Sequence, residues 1–496
     1  MPLPLETARF DALKKLAAGR LGTIEPAEEE VLRLSASTED RDTPKLEDRP
    51  VVRAAFVRWL ATDKDAAGHI DPLGLRVENA TIASALGLDF CQLPFRLRFR
   101  HCAFQGRLYF RSAELPGLDL FDCETEDGIF ADGLRVRGDV FLRKLEAKGK
   151  LRFVGARIDG DLDCSGAALT AEGTPLVADG ANIAGGVFLA GKLFCSGKVR
   201  FLGAQIGGDM VCSGSWIRTL SCDHARLAGT LFWTSMRGPE SRSLDLLEAS
   251  VKTLHDDSLS WPAPGNLAVK GLEYRDLAHH ESPSGELLSG GGMAPQRPLK
   301  AKERVRWLDL QDDEDRPDPQ AWMWMAKLFK EKGQDGDARR VLLSYRRRQA
   351  DAGSRVFWLP RVALALLSWE PLLVLVPFLL ILCWGGTLYQ RARDWQEIVP
   401  TASNVFIQGA AEAQPAEMDQ YTHAYPVFNP WIYTLENELP LVKFGMDDKW
   451  APDPNLIAQG QPLVYWWLAG FRWFLIIAGW LQGIALTFGI TRRFRD

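Results

Sequence analysis

The sequence predicts a mainly β fold, a right-handed parallel β-helix, preceded by a helical N-terminal cap and followed by a helical hairpin and two C-terminal transmembrane helices. Three observations support this fold class. Short alternating strands separated by glycines occupy residues 74–280, a sequence block recurs there every 21 to 25 residues, and two apolar runs without charge lie near the C-terminus. A period of this length is typical of stacked repeats, and such apolar runs are typical of membrane spans.

The first part of the β region repeats every five residues. Pairs of apolar residues two apart begin five residues after one another, at Leu108 and Phe110, Ala113 and Leu115, and Leu118 and Leu120. This spacing fits a chain that turns a corner every five residues with the paired side chains inward. The register slips between Phe95 and Phe104, and the coils are longer than 20 residues, so we expect irregular corners.

A longer block gives the period of the coil. Residues 155–166 (GARIDGDLDCSG) recur as residues 203–214 (GAQIGGDMVCSG), and weaker copies begin at Gly180 and His224. Apolar residues at positions 136, 158, 183, 206 and 227 are separated by 22, 25, 23 and 21 residues. Stacked copies would form a continuous apolar ladder. The predicted repeat core consists of Ile158, Leu162, Ile183, Ile206, Met210 and Leu227.

Two other folds, a leucine-rich repeat and a β-sandwich, fit the sequence less well than the β-helix. A leucine-rich repeat has a similar period but requires an LxxLxLxxN pattern, which is absent. A β-sandwich would not repeat one block at this spacing. Neither fold accounts for the repeat pattern as well as the β-helix does.

The remaining chain divides by composition. Residues 281–298 are rich in Ser, Gly and Pro and predict a flexible linker. Residues 321–332 and 336–350 have helical periodicity on either side of residues 333–335, which predicts a hairpin similar to a single tetratricopeptide unit. The predicted domains are a cap at 1–73, the β-helix at 74–280, the linker at 281–298, a cytoplasmic hairpin at 299–361, spans at 362–389 and 465–490, a loop outside the cytoplasm at 390–464 and a basic tail at 491–496.

The two apolar runs predict an inner-membrane protein that crosses the bilayer twice. Residues 372–389 and 473–490 carry no charge, and each is long enough for about 30 Å of hydrocarbon. Basic residues precede the first run and follow the second. The positive-inside rule assigns both of these flanking regions to the cytoplasm. Both termini are therefore expected in the cytoplasm, and the membrane-anchoring basic residues are Arg346, Arg347, Arg348, Arg492, Arg493 and Arg495.

Composition narrows the functional classes. The formal net charge is -5 and no strongly basic region stands out, so a nucleic-acid partner is not expected. The first ten residues lack the features of a cleaved signal peptide. The eight cysteines are scattered without a CxxC pair, which predicts reduced, buried thiols.

The coil pattern Gly-Ala-x-Ile/Leu-x-Gly-Asp-Leu resembles the bacterial pentapeptide-repeat-related β-helix proteins. Residues 256–262 (DDSLSWP), 337–342 (DARRVL) and 428–433 (FNPWIY) are similar to segments of bacterial membrane proteins that join a β-helix to a two-helix membrane tail. The resemblance implies a pentapeptide-like solenoid at a membrane. Those proteins are largely uncharacterised, so it implies no activity, although some are labelled oxidoreductases.

Two groups of residues are candidates for chemistry. Asp161 and Asp209, and likewise Cys164 and Cys212, occupy equivalent positions in two coils, where stacking could form a metal site. The favoured alternative is an internal cysteine ladder with aspartates at the corners, because no histidine occupies a matching position. Acid–base chemistry at residues 255–257 (HDD) competes with a capped turn, which we favour.

The motif search leads to no catalytic, cofactor-binding or metal residue. The sequence has no GxGxxG after a strand, no GxSxG, no HExxH and no phosphate loop. The leading hypothesis is therefore a membrane-anchored scaffold that binds a partner protein on the side of the β-helix. The alternative is a pore-type membrane effector, which requires a homo-oligomer because two helices cannot enclose a pore. A membrane-associated oxidoreductase is the third hypothesis.

Overall fold

The fold is described from a computed structural model of the chain, which covers residues 4–39, 43–238, 241–280, 300–311, 318–352, 375–401, 426–439 and 442–495. The chain forms two compact units, Met1–Ala352 and Gly353–Asp496. The predicted linker at 281–298 lies outside the described residues.

A helical cap precedes the solenoid in the first unit. It consists of α1 (Pro4–Leu21), α2 (Pro26–Ala36), α3 (Ala54–Thr62) and α4 (Lys64–Ala67). By sequence pattern, residues 8–21 and 51–60 are the helical candidates in this cap, and α2 lies between them. The helix in the second candidate segment, α3, begins only at Ala54, because Val51 and Val52 form strand β1, which pairs in parallel with Thr81 and Ile82. The first apolar pair of that segment thus extends the sheet of the solenoid.

The solenoid is a stack of parallel strands of about nine turns, which confirms the predicted parallel β-helix; its right-handed sense stays a prediction. Residues one turn apart are direct partners across neighbouring strands. One inward ladder runs through Leu75, Leu97, Leu118, Val140, Leu162, Val187, Met210, Leu231, Leu254 and Leu277. A second runs through Val136, Ile158, Ile183, Ile206 and Leu227.

The predicted repeat-core residues lie inside these ladders. All six are buried, and the most accessible of them, Leu227, is 4% exposed. Such a column of stacked apolar side chains supplies the hydrophobic stabilisation that a single coil of two-residue strands lacks.

The glycine that opens each repeat block has a geometric role. Gly155, Gly180 and Gly203 have φ of 63°, 62° and 61°, the left-handed conformation that turns the corner. The weaker copy places His224 at the same corner with φ of 55°. The corner is therefore a fixed feature of the coil, and glycine is the residue that adopts it without strain.

The turns change shape along the stack. Up to β21 each strand has two to four residues, whereas several later strands have six to eight residues and bend around a corner, with register shifts between Cys195 and Lys198 and between Leu227 and Thr230. The strands are β1 (Val51–Val52), β2 (Leu75–Glu78), β3 (Thr81–Ile82), β4 (Leu86–Gly87), β5 (Leu97–Arg100), β6 (Ala103–Phe104), β7 (Leu108–Tyr109), β8 (Glu114–Leu115), β9 (Leu118–Phe121), β10 (Glu124–Thr125), β11 (Ile129–Phe130), β12 (Arg135–Val136), β13 (Val140–Phe141), β14 (Glu146–Ala147), β15 (Leu151–Arg152), β16 (Arg157–Ile158), β17 (Leu162–Asp163), β18 (Ala168–Leu169), β19 (Leu176–Val177), β20 (Asn182–Ile183), β21 (Val187–Phe188), β22 (Phe194–Arg200), β23 (Gln205–Ile206), β24 (Met210–Val211), β25 (Trp216–Ser221), β26 (Arg226–Trp233), β27 (Ser243–Asp245), β28 (Ser250–Asp257), β29 (Leu267–Ala268) and β30 (Glu273–His280).

Three helices follow the last turn within the same unit. They are α5 (Ala301–Leu308), α6 (Pro319–Glu331) and α7 (Asp335–Ala352). Helices α6 and α7 form the two arms that the sequence predicts. Trp322, Met325 and Phe329 of α6 are buried, as expected for one face of an amphipathic helix.

The second unit is helical with one small sheet. It contains α8 (Leu375–Asp394), α9 (Pro430–Glu438), α10 (Asn455–Ala458) and α11 (Pro462–Arg495), together with the antiparallel pair β31 (Ile398–Pro400) and β32 (Trp450–Pro452). Helix α9 packs against both α8 and α11.

Among the described residues, one segment is long and apolar enough to cross a membrane by length and composition, Pro462–Ile484 of α11. It coincides with most of the second predicted span. Residues 362–374 of the first predicted span lie outside the described residues. The crossing at each span and the two-pass topology therefore stay predictions.

Candidate functional site

A groove lies between the late turns of the solenoid and helix α6. Its floor is the outer side of the strand column β20, β23, β26, β28 and β30, which pair successively in parallel. The inward ladder residues alternate with outward ones here, as the period of two in a strand requires. Outward residues with very small side chains, Ala184, Gly207 and Ala228, line the groove and leave space above the sheet.

Helix α6 forms the wall of the groove. Trp324, Lys327 and Glu331 line it, and their spacing of three and four residues places them on one face of the helix. The Trp324 indole Nε1 donates to the Tyr274 carbonyl at 2.9 Å, and Lys332 pairs with Asp276. Both contacts attach the helix to β30. The groove has a volume of about 930 Å³, large enough for several residues of a peptide.

The charge of the groove is mainly positive, because four basic side chains line it against two acidic ones, Glu273 and Glu331. Arg226, Lys252 and Arg275 line it and are exposed, and the described residues provide no ion-pair partner for any of them. Lys327 pairs with Glu331 at 3.9 Å and lies 4.7 Å from the centre of the Trp324 ring. Unpaired cations on three successive turns, about 4.8 Å apart per turn, form a surface that attracts acidic groups.

The aspartates of the repeat block are corner residues. The Asp161 carboxylate accepts a hydrogen bond from the Gly186 backbone N–H at 2.7 Å, and Asp209 accepts from Thr230 at 2.7 Å. Asp161 and Asp209 therefore each bond the next turn, which agrees with the corner interpretation.

Stacking does not bring the equivalent residues of the two blocks together, as the metal-site alternative requires. Val187 lies between Leu162 and Met210 in the ladder, so one whole turn separates the two blocks. This places Cys164 and Cys212 about 9.6 Å apart along the stack. Within the described ranges, no group of three or more His, Cys, Asp or Glu side chains could hold a metal ion.

The burial of the cysteines predicts which thiols can be alkylated in the folded protein. Six of the eight are buried, and Cys91 and Cys383 are not. Burial raises the pKa of the Cys195 thiol to about 11 and that of Cys222 to about 12, so thiolate is scarce at pH 8. In the folded protein, iodoacetamide at pH 8 should modify Cys91 and leave the six buried cysteines unmodified, whereas all eight cysteines should react in guanidinium, as counted by mass spectrometry. Rapid native labelling of Cys195 or Cys222 would contradict the packing described.

Residues 255–257 are the last residues of strand β28, and the Asp257 side chain caps the turn that follows them. The Asp257 carboxylate accepts from the Ser260 N–H and hydroxyl, both at 2.8 Å. Asp256 is instead bound by Arg304 of α5, with both guanidinium contacts at 2.7 Å. Both aspartates thus have structural partners at the end of the solenoid.

The predicted membrane-anchoring residues fall into two sets. Arg346, Arg347 and Arg348 lie on α7, where Arg348 is bound to the Asp309 carboxylate at 2.8 Å. Arg347 is exposed. The other three are at the end of α11: Arg492, Arg493 and Arg495.

In comparisons with protein-family models, curated proteins and solved structures, no significant match to this chain is found. The resemblance to pentapeptide-repeat-related membrane proteins therefore rests on the sequence segments themselves.

The sequence alone does not predict the groove. The floor residues belong to the recurring block, but no sequence pattern places α6 over that face. The sequence does contain one indication of the groove. Equivalent outward positions of this column change from small residues, Ala184 and Gly207, to basic ones, Lys252 and Arg275, which distinguishes the late turns from the earlier ones.

Proposed function

We propose that this protein is a membrane-anchored scaffold whose solenoid binds an extended acidic segment of a partner protein in the groove beside α6. The observation that carries the proposal is the set of three unpaired cations, Arg226, Lys252 and Arg275, around a floor of small side chains. An extended segment fits because a flat strand surface flanked by a helix offers a linear channel. Acidic side chains fit because their negative charges would pair with these three cations, which have no ion-pair partner among the described residues.

The proposed location is the inner membrane, with two crossings and both termini in the cytoplasm. The apolar surface of α11 supports this, since Trp466, Trp473 and Leu481 are between 63% and 66% exposed. Tryptophan is enriched where membrane helices meet the bilayer interface. The arginines at the end of α11 and Arg347 on α7 are then the positive-inside residues.

The first experiment measures peptide binding by fluorescence anisotropy. The probe is a labelled ten-residue peptide of alternating Glu and Ser, titrated with the full chain in detergent at low and high salt. We expect binding that weakens as salt rises, because exposed charges are screened. The variant R226E/R275E should bind at least tenfold more weakly.

Arg157 provides a matched control for that experiment. It is an exposed arginine in the same outward row, two turns before Gln205, and it does not line the groove. R157E should change the affinity less than twofold. Equal losses in R157E and R226E/R275E, or equal binding of a Lys/Ser peptide, would contradict the proposal.

A second candidate function, an oligomeric pore, is favoured by the position of α9. This short helix lies between α8 and α11 and contains the buried carboxylates of Glu436 and Glu438. A polar helix of this kind between two spans resembles the polar linings of channels. Light scattering of the detergent-purified protein decides between the candidates: a trimer or larger ring supports the pore, and a monomer excludes it.

A further inference from the structure

Helix α9 is enclosed by close contacts with its two neighbours. A side chain on Gly386 of α8 would collide with the Trp431 ring at 2.3 Å, and one on Gly479 of α11 would collide with the Glu438 carbonyl at 1.8 Å. These glycines allow the helices to approach closely enough to bury the C-terminal half of α9. Thr434, Glu436, Asn437 and Glu438 are all at most 3% exposed.

Three of these four polar side chains have partners. The Glu436 carboxylate accepts from the backbone N–H groups of residues 444–447 at 2.7 to 3.1 Å. The Asn437 carbonyl oxygen accepts from Arg472 at 3.0 Å, and the Thr434 hydroxyl donates to the Pro430 carbonyl at 2.7 Å. Buried polar groups are normally bonded in this way.

Glu438 is the exception. It is fully buried, and neither carboxylate oxygen has a hydrogen-bond partner within the described part of the chain. The polar side chain that faces it is Gln482 of α11, whose own Oε1 is also buried without a partner. Each of these three buried oxygen atoms is a hydrogen-bond acceptor that lacks a donor among the described residues.

Within the described ranges, charged and titratable groups on the surrounding helices do not compensate a negative charge on Glu438. Arg472 of α11 bonds Asn437 and the Asp447 carbonyl, and it lies ten residues from Gln482, about 15 Å along the helix. Tyr389 of α8 and Tyr433 of α9 pack against each other with ring centres 4.8 Å apart. Glu436 turns toward residues 444–447. An ionised Glu438 would therefore be a buried charge without a counter-charge, which is strongly unfavourable.

Protonation of Glu438 supplies the missing hydrogen-bond donor. A neutral carboxyl group has an O–H that can donate to the Gln482 Oε1 atom, which gives both residues a partner at once. We propose that Glu438 is a proton-binding site that holds a proton at neutral pH, and that this proton joins α9 to α11 through Gln482. Loss of the proton at higher pH places an uncompensated charge between the two helices and loosens their contact.

The pKa of Glu438 agrees with this geometry. Burial raises it to about 7, against a smaller lowering by the Gln482 amide. Because the folded-state pKa lies above the usual value of about 4.3 for a glutamic acid, the folded protein is expected to lose stability as pH rises between these two values. The proposal concerns the second unit and does not depend on the groove.

Infrared spectroscopy of the full chain in detergent tests the proposal. The protein carries ¹³C-labelled glutamate, and the carbonyl stretch of protonated carboxylic acid is followed from pH 6 to pH 9. We expect one labelled band that disappears with a midpoint near pH 7 and that is absent from E438Q. Glutamine mimics the neutral acid in shape and polarity, so E438Q is expected to fold, which its thermal unfolding checks.

Two controls make the outcome decisive. E397Q removes another glutamate of the same unit, one that is only half-buried, and should leave the band unchanged. Gln482→Leu removes the acceptor and should shift the frequency of the band without abolishing it. If the wild-type protein has no such band at pH 6, or if E438Q retains it, Glu438 is ionised or the proton lies elsewhere, and the proposal is overturned. An amide turned to donate to an ionised Glu438 would give that first result.

Discussion

Replacing Arg304 with alanine should destabilise the C-terminal end of the solenoid by about 3–5 kcal/mol, the usual cost of removing one partner of a buried ion pair. Arg304 and Asp256 are at most 2% exposed and form two contacts of 2.7 Å. Trp261 also donates to Asp256 at 3.1 Å. Without the guanidinium, the Asp256 carboxylate stays buried with its charge uncompensated.

The effect should be local, because each coil contacts only its neighbours. Hydrogen exchange measured by mass spectrometry should show faster exchange in β28 and β30 and unchanged exchange in β5 and β9. Arg306, an exposed residue of the same helix, provides the control: R306A should change stability by no more than about 0.5 kcal/mol. The double variant D256L/R304L should recover much of the loss, since neither charge is then left alone. Equal exchange in R304A and R306A would contradict the role assigned to the pair.

The second large effect is expected in the other unit. Gly479→Ala places a methyl group 1.8 Å from the Glu438 carbonyl oxygen, a backbone atom that cannot rotate away. Forcing atoms into a packed interior costs about 1–3 kcal/mol. We expect a lower thermal unfolding temperature in detergent and faster proteolysis near α9.

Gly483 is the matched control for that variant. It lies one turn further along α11, and a methyl group there meets nothing within 4 Å. Gly483→Ala should be neutral or stabilising, because alanine favours the helical conformation over glycine. A loss of stability in Gly483→Ala as large as that in Gly479→Ala would show that α9 does not pack against α11 as described.

The sequence was most informative where one residue type has one geometric use. The recurring Gly-Ala-x-Ile block predicts a stacked coil because a left-handed corner, a small buried residue and an inward aliphatic side chain follow in fixed order. Ile158, Ile183 and Ile206 are direct partners in the structure, as their spacing indicates. The same logic predicts the hairpin of α6 and α7 from apolar residues on one helical face.

The sequence was uninformative where distant segments meet. Val51 and Val52 fit a helix or a strand by pattern, and only the edge of the first coil makes them a strand. The groove needs α6 over β23 and β26, about one hundred residues apart in the chain, and no periodicity reports that contact. Glu438 is one of several acidic residues in its segment, and nothing nearby in sequence indicates that it faces Gln482.

The central claim is that the groove beside α6 receives an acidic segment. The most direct test is site-specific crosslinking, with a photoreactive amino acid in place of Ala228 at the floor of the groove or, as a control, in place of the exposed Arg157 outside it. The labelled Glu/Ser peptide should crosslink at position 228, compete with unlabelled peptide, and give little product at position 157. Binding by anisotropy with equal crosslinking at both positions, or with none at position 228, would show that the acidic peptide binds elsewhere and would contradict the claim.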